Sequence, residues 1–199
     1  MNALLADIAR GHPVDAVVIG ASAGGINALL SILPGLPLPC PFAVVIVLHL
    51  PDDGDSRLAE LFAQRLGRPV CEAADKMPVV PGMIYFAPSG YHLALEAERC
   101  FSLSREAPVH FSRPAIDILM ASAADVYASH LAGLLLTGAS ADGAAGLASI
   151  AGAGGLTVVQ QPAEAESAIM PLAAIGLFTP DLVLPLADIR NLLNMLETH

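Results

Sequence analysis

Three side chains in this sequence, Ser22, His49 and Asp142, have the chemistry needed for nucleophilic catalysis. Ser22 is the middle residue of GASAG (20–24), which fits the pattern Gly-X-Ser-X-Gly. In that pattern a sharp turn from a strand to a helix exposes the serine hydroxyl. A hydroxyl is a weak nucleophile until a base removes its proton, and the base needs an acceptor on its second ring nitrogen. His49 and Asp142 can supply these two functions, so the residue types predict a Ser-His-Asp triad.

Each of the three residues follows a short apolar run that is typical of a buried strand. Ser22 follows DAVVIG, His49 follows PFAVVIVL, and Asp142 lies in GASADG after LAGLLLTG. The carboxyl ends of parallel strands share one edge of a sheet, and ligands bind outside that edge. We therefore expect the three side chains to meet there.

Each of these residues also has a purely structural interpretation. Ser22 could cap the helix that follows a tight turn, His49 could be a hydrogen-bonded histidine at a strand end, and Asp142 could be a helix N-cap. The glycine-rich turn also resembles that of short-chain dehydrogenases, which bind a nicotinamide nucleotide. Those enzymes use a tyrosine with a lysine four residues later, whereas the only lysine here is Lys76 and residue 72 is Glu72. The nucleotide hypothesis is therefore the weaker one.

Runs rich in valine and isoleucine alternate along the chain with segments whose apolar residues are three and four positions apart. Strands are predicted over 16–20, 42–48, 83–87, 131–137, 156–160 and 182–184. Helices are predicted over 24–33, 56–66, 114–129, 143–152 and 186–196. Segments 91–96 and 100–104 flank a polar turn and predict a β-hairpin. The alternation predicts an α/β fold, a doubly wound and mostly parallel sheet with helices on both faces, plus this antiparallel β-hairpin.

Composition favours one domain that acts in the cytoplasm. The chain has 199 residues, of which 55% are hydrophobic and 14% charged, so most elements should be buried on more than one face. A single domain is predicted over 14–199, after an N-terminal extension over 1–13. A membrane-spanning helix needs about 20 unbroken apolar residues, and the sequence has neither such a run nor a signal peptide. The protein is therefore expected to be cytoplasmic and not embedded in a membrane.

Charge and cysteine usage exclude several other classes. The net charge of -10 would repel a phosphate backbone, so nucleic acid is not an expected partner. Cys40, Cys71 and Cys100 are odd in number and lack CxxC spacing, which predicts buried thiols rather than disulfides or a zinc site. We predict no metal and no cofactor.

Six segments resemble, in the same order, those of the CheB-type protein-glutamate methylesterases. They are VVIGASAGG, VIVLHLP, PGMIYFAPSGYHLAL, SRPAIDILMASAA, LLLTGASADGAAGL and QPAEAESAIMPLAAI. The resemblance covers nearly the whole chain from Val14 onward. It implies a cofactor-free serine hydrolase that removes methyl esters from glutamate side chains on the cytoplasmic helices of methyl-accepting chemoreceptors, and that can deamidate glutamines there.

The resemblance also carries catalytic roles onto the triad residues that the strand ends suggested. Ser22 would be the nucleophile, His49 the base and Asp142 the residue that orients it. The backbone N–H groups of Ala23 and Ala139 are candidates for the oxyanion hole.

The sequence departs from the family pattern at three places. Ala23 replaces the threonine of GASTGG, and ASA (139–141) replaces part of the usual TGMGxDG loop. Leu172 and Ala173 follow Met-Pro where the family often has Arg-Glu, which removes a charge that could face an acidic receptor helix. A non-catalytic signalling interaction module with the same fold is therefore an alternative. Because only residues 1–13 precede the domain, a regulatory receiver domain is not expected in this chain, and we expect activity without phosphorylation.

Overall fold

Seven parallel strands form the central sheet, with β1 at its centre. The computed structural model describes residues 2–49 and 57–197. Its strands are β1 (Ala16–Ala21), β2 (Ala43–Leu48), β3 (Val70–Glu72), β4 (Ile84–Phe86), β5 (His92–Leu95), β6 (Phe101–Ser104), β7 (Leu131–Leu135), β8 (Leu156–Gln160) and β9 (Leu182–Leu184). The order in the sheet is β3-β4-β2-β1-β7-β8-β9, and β5 pairs with β6 as a separate antiparallel hairpin. The strand order reverses beside β1, which is where open α/β sheets bind ligands.

Helices cover both faces of this sheet. They are α1 (Asn2–Gly11), α2 (Gly25–Ile32), α3 (Leu58–Leu66), α4 (Ile116–Tyr127), α5 (Ala144–Gly152), α6 (Ile169–Leu177) and α7 (Leu186–Met195). The first three and α7 contribute to one hydrophobic cluster, whereas α4, α5, α6 and the hairpin contribute to the other. In the two described stretches, no helix is both long enough and apolar enough to cross a bilayer. The prediction of a doubly wound sheet with an antiparallel hairpin is confirmed.

The register of β1 and β2 places Ser22 beside His49. Every residue of both strands is buried, and alternate side chains enter the two clusters, as the pleat of a strand requires. Ala21 pairs with Leu48 in the parallel ladder, and the amide of His49 donates to the Ala21 carbonyl at 3.0 Å. Ser22 directly follows β1 and His49 directly follows β2, so the two residues lie side by side at the ends of neighbouring strands.

The sequence predicted most elements but missed α1, β3 and α6. Helix α6 contains Pro171 in its first turn, where a missing amide costs little because it has no helical partner. The strand predicted over 131–137 ends at Leu135. The helix predicted over 56–66 is observed as α3 from Leu58, and residue 56 lies outside the described residues.

Helix α1 lies within the segment that the sequence analysis set apart as an extension. Its residues Leu5 and Ala9 are buried and belong to the same cluster as α7. Beyond it, the amide of Val14 donates to the carbonyl of Glu197 at 2.8 Å. The N-terminal segment therefore packs against the C-terminal one.

We predict that Leu5→Ala lowers the free energy of unfolding by about 2–5 kcal/mol, because it removes a fully buried side chain and leaves a cavity. Leu4 is 57% exposed on the same helix, so the matched variant Leu4→Ala should change it by less than about 0.5 kcal/mol. Urea titration followed by circular dichroism measures both values. Equal effects of the two substitutions would show that Leu5 does not anchor α1 in the hydrophobic cluster that it shares with α7.

Candidate active site

The carboxylate of Asp142 joins the imidazole of His49 to the start of helix α4. His49 Nε2 lies 2.9 Å from Asp142 Oδ2, and the Asp142 side chain is fully buried while that of His49 is 11% exposed. The amide of Ile116 donates to Oδ2 at 2.7 Å and that of Asp117 donates to Oδ1 at 3.0 Å. These are the first two residues of α4, where free amides and the helix dipole favour an anion.

These contacts determine which nitrogen of His49 can act as a base. Burial raises the pKa of Asp142, but the hydrogen bonds from His49 and from the amides of Asp117 and Ile116 outweigh it, and the pKa lies below its ordinary value. The carboxylate is therefore ionised at neutral pH and can only accept hydrogen bonds. His49 must donate from Nε2, which leaves its lone pair on Nδ1. In the triad of chymotrypsin-type proteases the two nitrogens have the opposite roles.

Two glycines allow α4 to approach Asp142. A Cβ at Gly20 would lie 2.4 Å from Ile116 Cγ2, and a Cβ at Gly143 would lie 2.7 Å from the same atom. Gly143 also has a φ of 93°, which disfavours other residues. The Ile116 side chain thus fills space that only glycine leaves, and this brings its amide to the carboxylate.

Asp117, at the start of α4, binds the start of α5 in the same way that Asp142 binds the start of α4. The sequence alone did not point to Asp117. Its Oδ1 accepts hydrogen bonds from the amides of Gly143 at 2.9 Å and Gly146 at 2.7 Å, at the start of α5. Burial raises the pKa of Asp117 above its ordinary value. The hydrogen bond from the Gly146 amide lowers this pKa in part, and the negative charge of Asp142 raises it further. The only sequence signal was an acidic residue in the first turn of a predicted helix.

Two of the structural interpretations considered above are wrong. The N-cap position of α5 is Gly143, without a side-chain cap, and the Asp142 carboxylate binds α4 instead. The N-cap position of α2 is Gly24, also without a side-chain cap. Ser22 contributes its carbonyl, which accepts from the Gly25 amide at 2.8 Å. Its hydroxyl is therefore not used as a helix cap.

The structure brings Ser22 close to His49 but does not join them by a hydrogen bond within the described residues. His49 Nδ1 faces Ser112 Oγ at 3.4 Å. Ser112 was not singled out from the sequence. It begins the SRP segment (112–114) just before α4, which was noted only as part of a family motif.

The backbone beside Ser22 offers hydrogen-bond donors. A Cβ at Gly138 would lie 3.0 Å from Ser22 Cβ, so the chain at 138–139 packs directly against the serine. Within residues 2–49 and 57–197, the amides of Ala23 and Ala139 donate to no protein acceptor, and both residues are exposed. Thr137 Oγ1 donates to the Ala23 carbonyl at 2.8 Å, which ties the two loops together. Two N–H groups without a protein acceptor among the described residues therefore lie in the two loops next to Ser22.

A group of possible metal ligands lies elsewhere. Among the described residues, Glu96, Glu98 and Cys100 place ligand atoms within 4.8 Å of one another. They lie at the turn of the β5–β6 hairpin, and Lys76 Nζ already binds the Glu96 carboxylate at 2.6 Å. The prediction of thiols rather than disulfides is confirmed, but their predicted burial is wrong, since all three cysteines are half-buried: Cys40, Cys71 and Cys100.

Comparison with known proteins identifies the family. A sequence model described as CheB methylesterase matches residues 17–193. The chain belongs to the CheB methylesterase family. The CheB methylesterase catalytic domain of Thermotoga maritima has the same fold, with a TM-score of 0.86 and 33% sequence identity over 90% of this chain and 97% of that one.

Relatives of two different lengths share this CheB-type domain. A protein of Leptospira interrogans, with the provisional name protein-glutamate methylesterase/protein-glutamine glutaminase, is 44% identical over 93% of this chain and 96% of its own length. Protein-glutamate methylesterase/protein-glutamine glutaminase 2 of Anaeromyxobacter dehalogenans is 42% identical over 94% of this chain but only 55% of its own length.

We predict that Asp117→Ala lowers the free energy of unfolding by about 1–3 kcal/mol, because it leaves buried amides at Gly143 and Gly146 without an acceptor. Hydrogen exchange at these two amides should accelerate, as measured by NMR, whereas Asp117→Asn retains an acceptor and should preserve much of the protection. Asp125 is exposed on the same helix, so Asp125→Ala is the matched control. Unchanged exchange in Asp117→Ala would contradict the contact between Asp117 and the start of α5.

Proposed function

We propose that this chain hydrolyses methyl esters of glutamate side chains on the cytoplasmic helices of methyl-accepting chemoreceptors, and that it also deamidates glutamines there. The observation that carries the proposal is the buried Asp142–His49 pair, which engages Nε2 and leaves the lone pair of His49 on Nδ1. His49 and Ser22 follow neighbouring strands at the same edge of the sheet. Membership of the CheB methylesterase family supports the same chemistry. The enzyme acts in the cytoplasm, where these receptor helices lie.

Catalysis would proceed through an ester of Ser22. The Ser22 hydroxyl attacks the ester carbonyl while His49 Nδ1 takes its proton, and the Asp142 carboxylate stabilises the imidazolium. The imidazolium then protonates the departing methoxide, which leaves as methanol. Water, activated by the same nitrogen, hydrolyses the glutamyl-serine ester and restores the free hydroxyl. With a glutamine substrate the leaving group is ammonia.

The free amides of Ala23 and Ala139 are the proposed oxyanion hole. They belong to the loops next to Ser22, and we expect them to donate to the carbonyl oxygen on which negative charge develops. Loss of one such donor typically lowers kcat by about 10²–10³-fold. Both amides belong to the backbone, so the replacement of the family threonine by Ala23 leaves them in place.

The departures from the family pattern lie on the exposed side of the site. Ala23, Ala139 and Leu172 are all exposed, whereas Asp142 is fully buried. Within the same loop, Ser140 Oγ accepts a hydrogen bond from the amide of Asp142 at 3.1 Å, so the substituted loop still holds the residue that binds His49. The exposed substitutions change the surface that meets a substrate. This favours altered receptor recognition over the non-catalytic interaction module.

The nicotinamide-dependent hypothesis conflicts with the charge at the glycine-rich turn. A Cβ at Gly24 would lie 2.8 Å from Oε2 of Glu166, so a carboxylate covers the turn. A dinucleotide would place its pyrophosphate at this point, against the negative charge.

The direct test is methanol release from a methyl-labelled chemoreceptor. We predict that Ser22→Ala lowers kcat by roughly 10⁴–10⁶-fold, as in other triads. Ser31 is exposed on α2 and donates to the Asn27 carbonyl, so Ser31→Ala should retain full activity. No release by the wild type would favour the interaction module, and full activity of Ser22→Ala would exclude the proposed nucleophile.

An exposed aromatic residue near His49 offers a contact for the receptor. Phe111 is fully exposed and directly precedes Ser112. We predict that Phe111→Ala raises KM for the methylated receptor roughly five- to tenfold, since exposed aromatic residues contribute strongly to protein interfaces. Turnover of p-nitrophenyl acetate, which carries no receptor helix, should not change.

The matched control for Phe111 is Leu38, which is 80% exposed and lies before β2, at the opposite edge of the sheet. Leu38→Ala should leave KM for the receptor unchanged. An equal effect of the two substitutions, or none of Phe111→Ala, would show that the receptor does not contact this turn.

A further inference from the structure

The contact between Ser112 and His49 has no role in the mechanism above, although it involves the nitrogen that must act as the base. Asp142 binds Nε2, so the only lone pair of the ring is on Nδ1. Ser112 Oγ lies 3.4 Å from Nδ1, and its hydroxyl can donate to that lone pair. Ser22 must donate to the same lone pair before it can attack a substrate. Two hydroxyls therefore compete for one acceptor.

Ser112 is held in place independently of the strands that carry Ser22 and His49. The backbones of Val109 and Ser112 exchange two hydrogen bonds, of 3.1 and 2.9 Å, around a two-residue turn. Both residues of the turn, His110 and Phe111, have positive φ, of 48° and 63°. His110 Nε2 lies 3.4 Å from Asp117 Oδ2, which links the turn to the start of α4. The position of Ser112 is therefore set by this turn and by the start of α4, whose amides bind Asp142.

We propose that Ser112 is a positioning residue which holds the His49 Nδ1 lone pair in the free enzyme and yields it to Ser22 when substrate binds. This inference rests on the proposed function, because it takes Ser22 as the nucleophile. Ser112 keeps its own proton throughout. The proton that moves is that of Ser22, which passes to Nδ1 and then to the leaving group.

The length of the contact indicates how large the effect should be. Hydrogen bonds to a ring nitrogen are strongest near 2.9 Å, so a contact of 3.4 Å is weak and exchange between the two hydroxyls is easy. A reactive arrangement that is only partly populated lowers the observed rate by that fraction. Removing the competing hydroxyl should therefore accelerate the first chemical step about two- to fivefold.

The test is covalent modification of Ser22 by phenylmethylsulfonyl fluoride, a small reagent that needs no receptor. The rate constant of labelling is measured for the wild type and for Ser112→Ala, and mass spectrometry identifies the labelled residue. We expect Ser112→Ala to react two- to fivefold faster at Ser22, Ser112→Thr to react at the wild-type rate, and the exposed-site control Ser149→Ala to be unchanged. A purely structural role of Ser112 would slow the reaction, so an unchanged or lower rate in Ser112→Ala overturns the inference.

The same experiment separates this inference from the proposed function. Labelling at Ser22 with equal rates in the wild type and Ser112→Ala overturns only the role of Ser112. Labelling of the wild type at Ser112 itself, or none at Ser22, overturns the assignment of the nucleophile and the inference with it. At saturating methylated receptor, a kcat of Ser112→Ala below that of the wild type would also overturn the inference, because it would show that the hydroxyl is needed during turnover.

Discussion

A buried carboxylate at the edge of the sheet is the constraint on which the rest of the site depends. Placing an ionised aspartate in a protein interior costs several kcal/mol unless its oxygens are hydrogen-bonded. Asp142 meets this cost with three donors, two amides from α4 and one ring nitrogen from the end of β2. The loop after β7, the start of α4 and the His49 side chain are therefore held together by one group, and none of them can move without exposing or unpairing it.

The same contact explains why distant residues must be glycine. Helix α4 reaches the carboxylate only because Gly20 and Gly143 leave room for Ile116. Asp117, on α4, in turn accepts hydrogen bonds from the amides at the start of α5. Two helices and two loops are thereby coupled through a pair of aspartates, and the charge of one contributes to the raised pKa of the other. The hydrogen bonds that hold Asp142 are therefore also the contacts that position α4, and those of Asp117 join α4 to α5.

The sequence predicted the site residues that follow strands. It did not predict the residues of other elements that contact them. Strand ends could be read from apolar runs, and parallel strands bring their carboxyl ends together, so His49 and Asp142 were paired correctly. Ile116 and Ser112 contact these residues over long sequence separations, for which no local pattern exists. Helix α6 was not predicted, and its Pro171 is tolerated because it lies in the first turn, where the missing amide has no helical partner. Local signals thus located the groups of the site, and tertiary contacts determined how they are oriented.

Asp142 fixes His49 as the Nε2–H tautomer and leaves Nδ1 as the base. The most direct measurement is ¹H–¹⁵N NMR of the imidazole at neutral pH, in the wild type and in Asp142→Ala. We expect a downfield, slowly exchanging proton on Nε2 and an unprotonated Nδ1 in the wild type, with loss of the downfield proton in Asp142→Ala. A proton on Nδ1 in the wild type, or an Nε2 proton unaffected by Asp142→Ala, would contradict it.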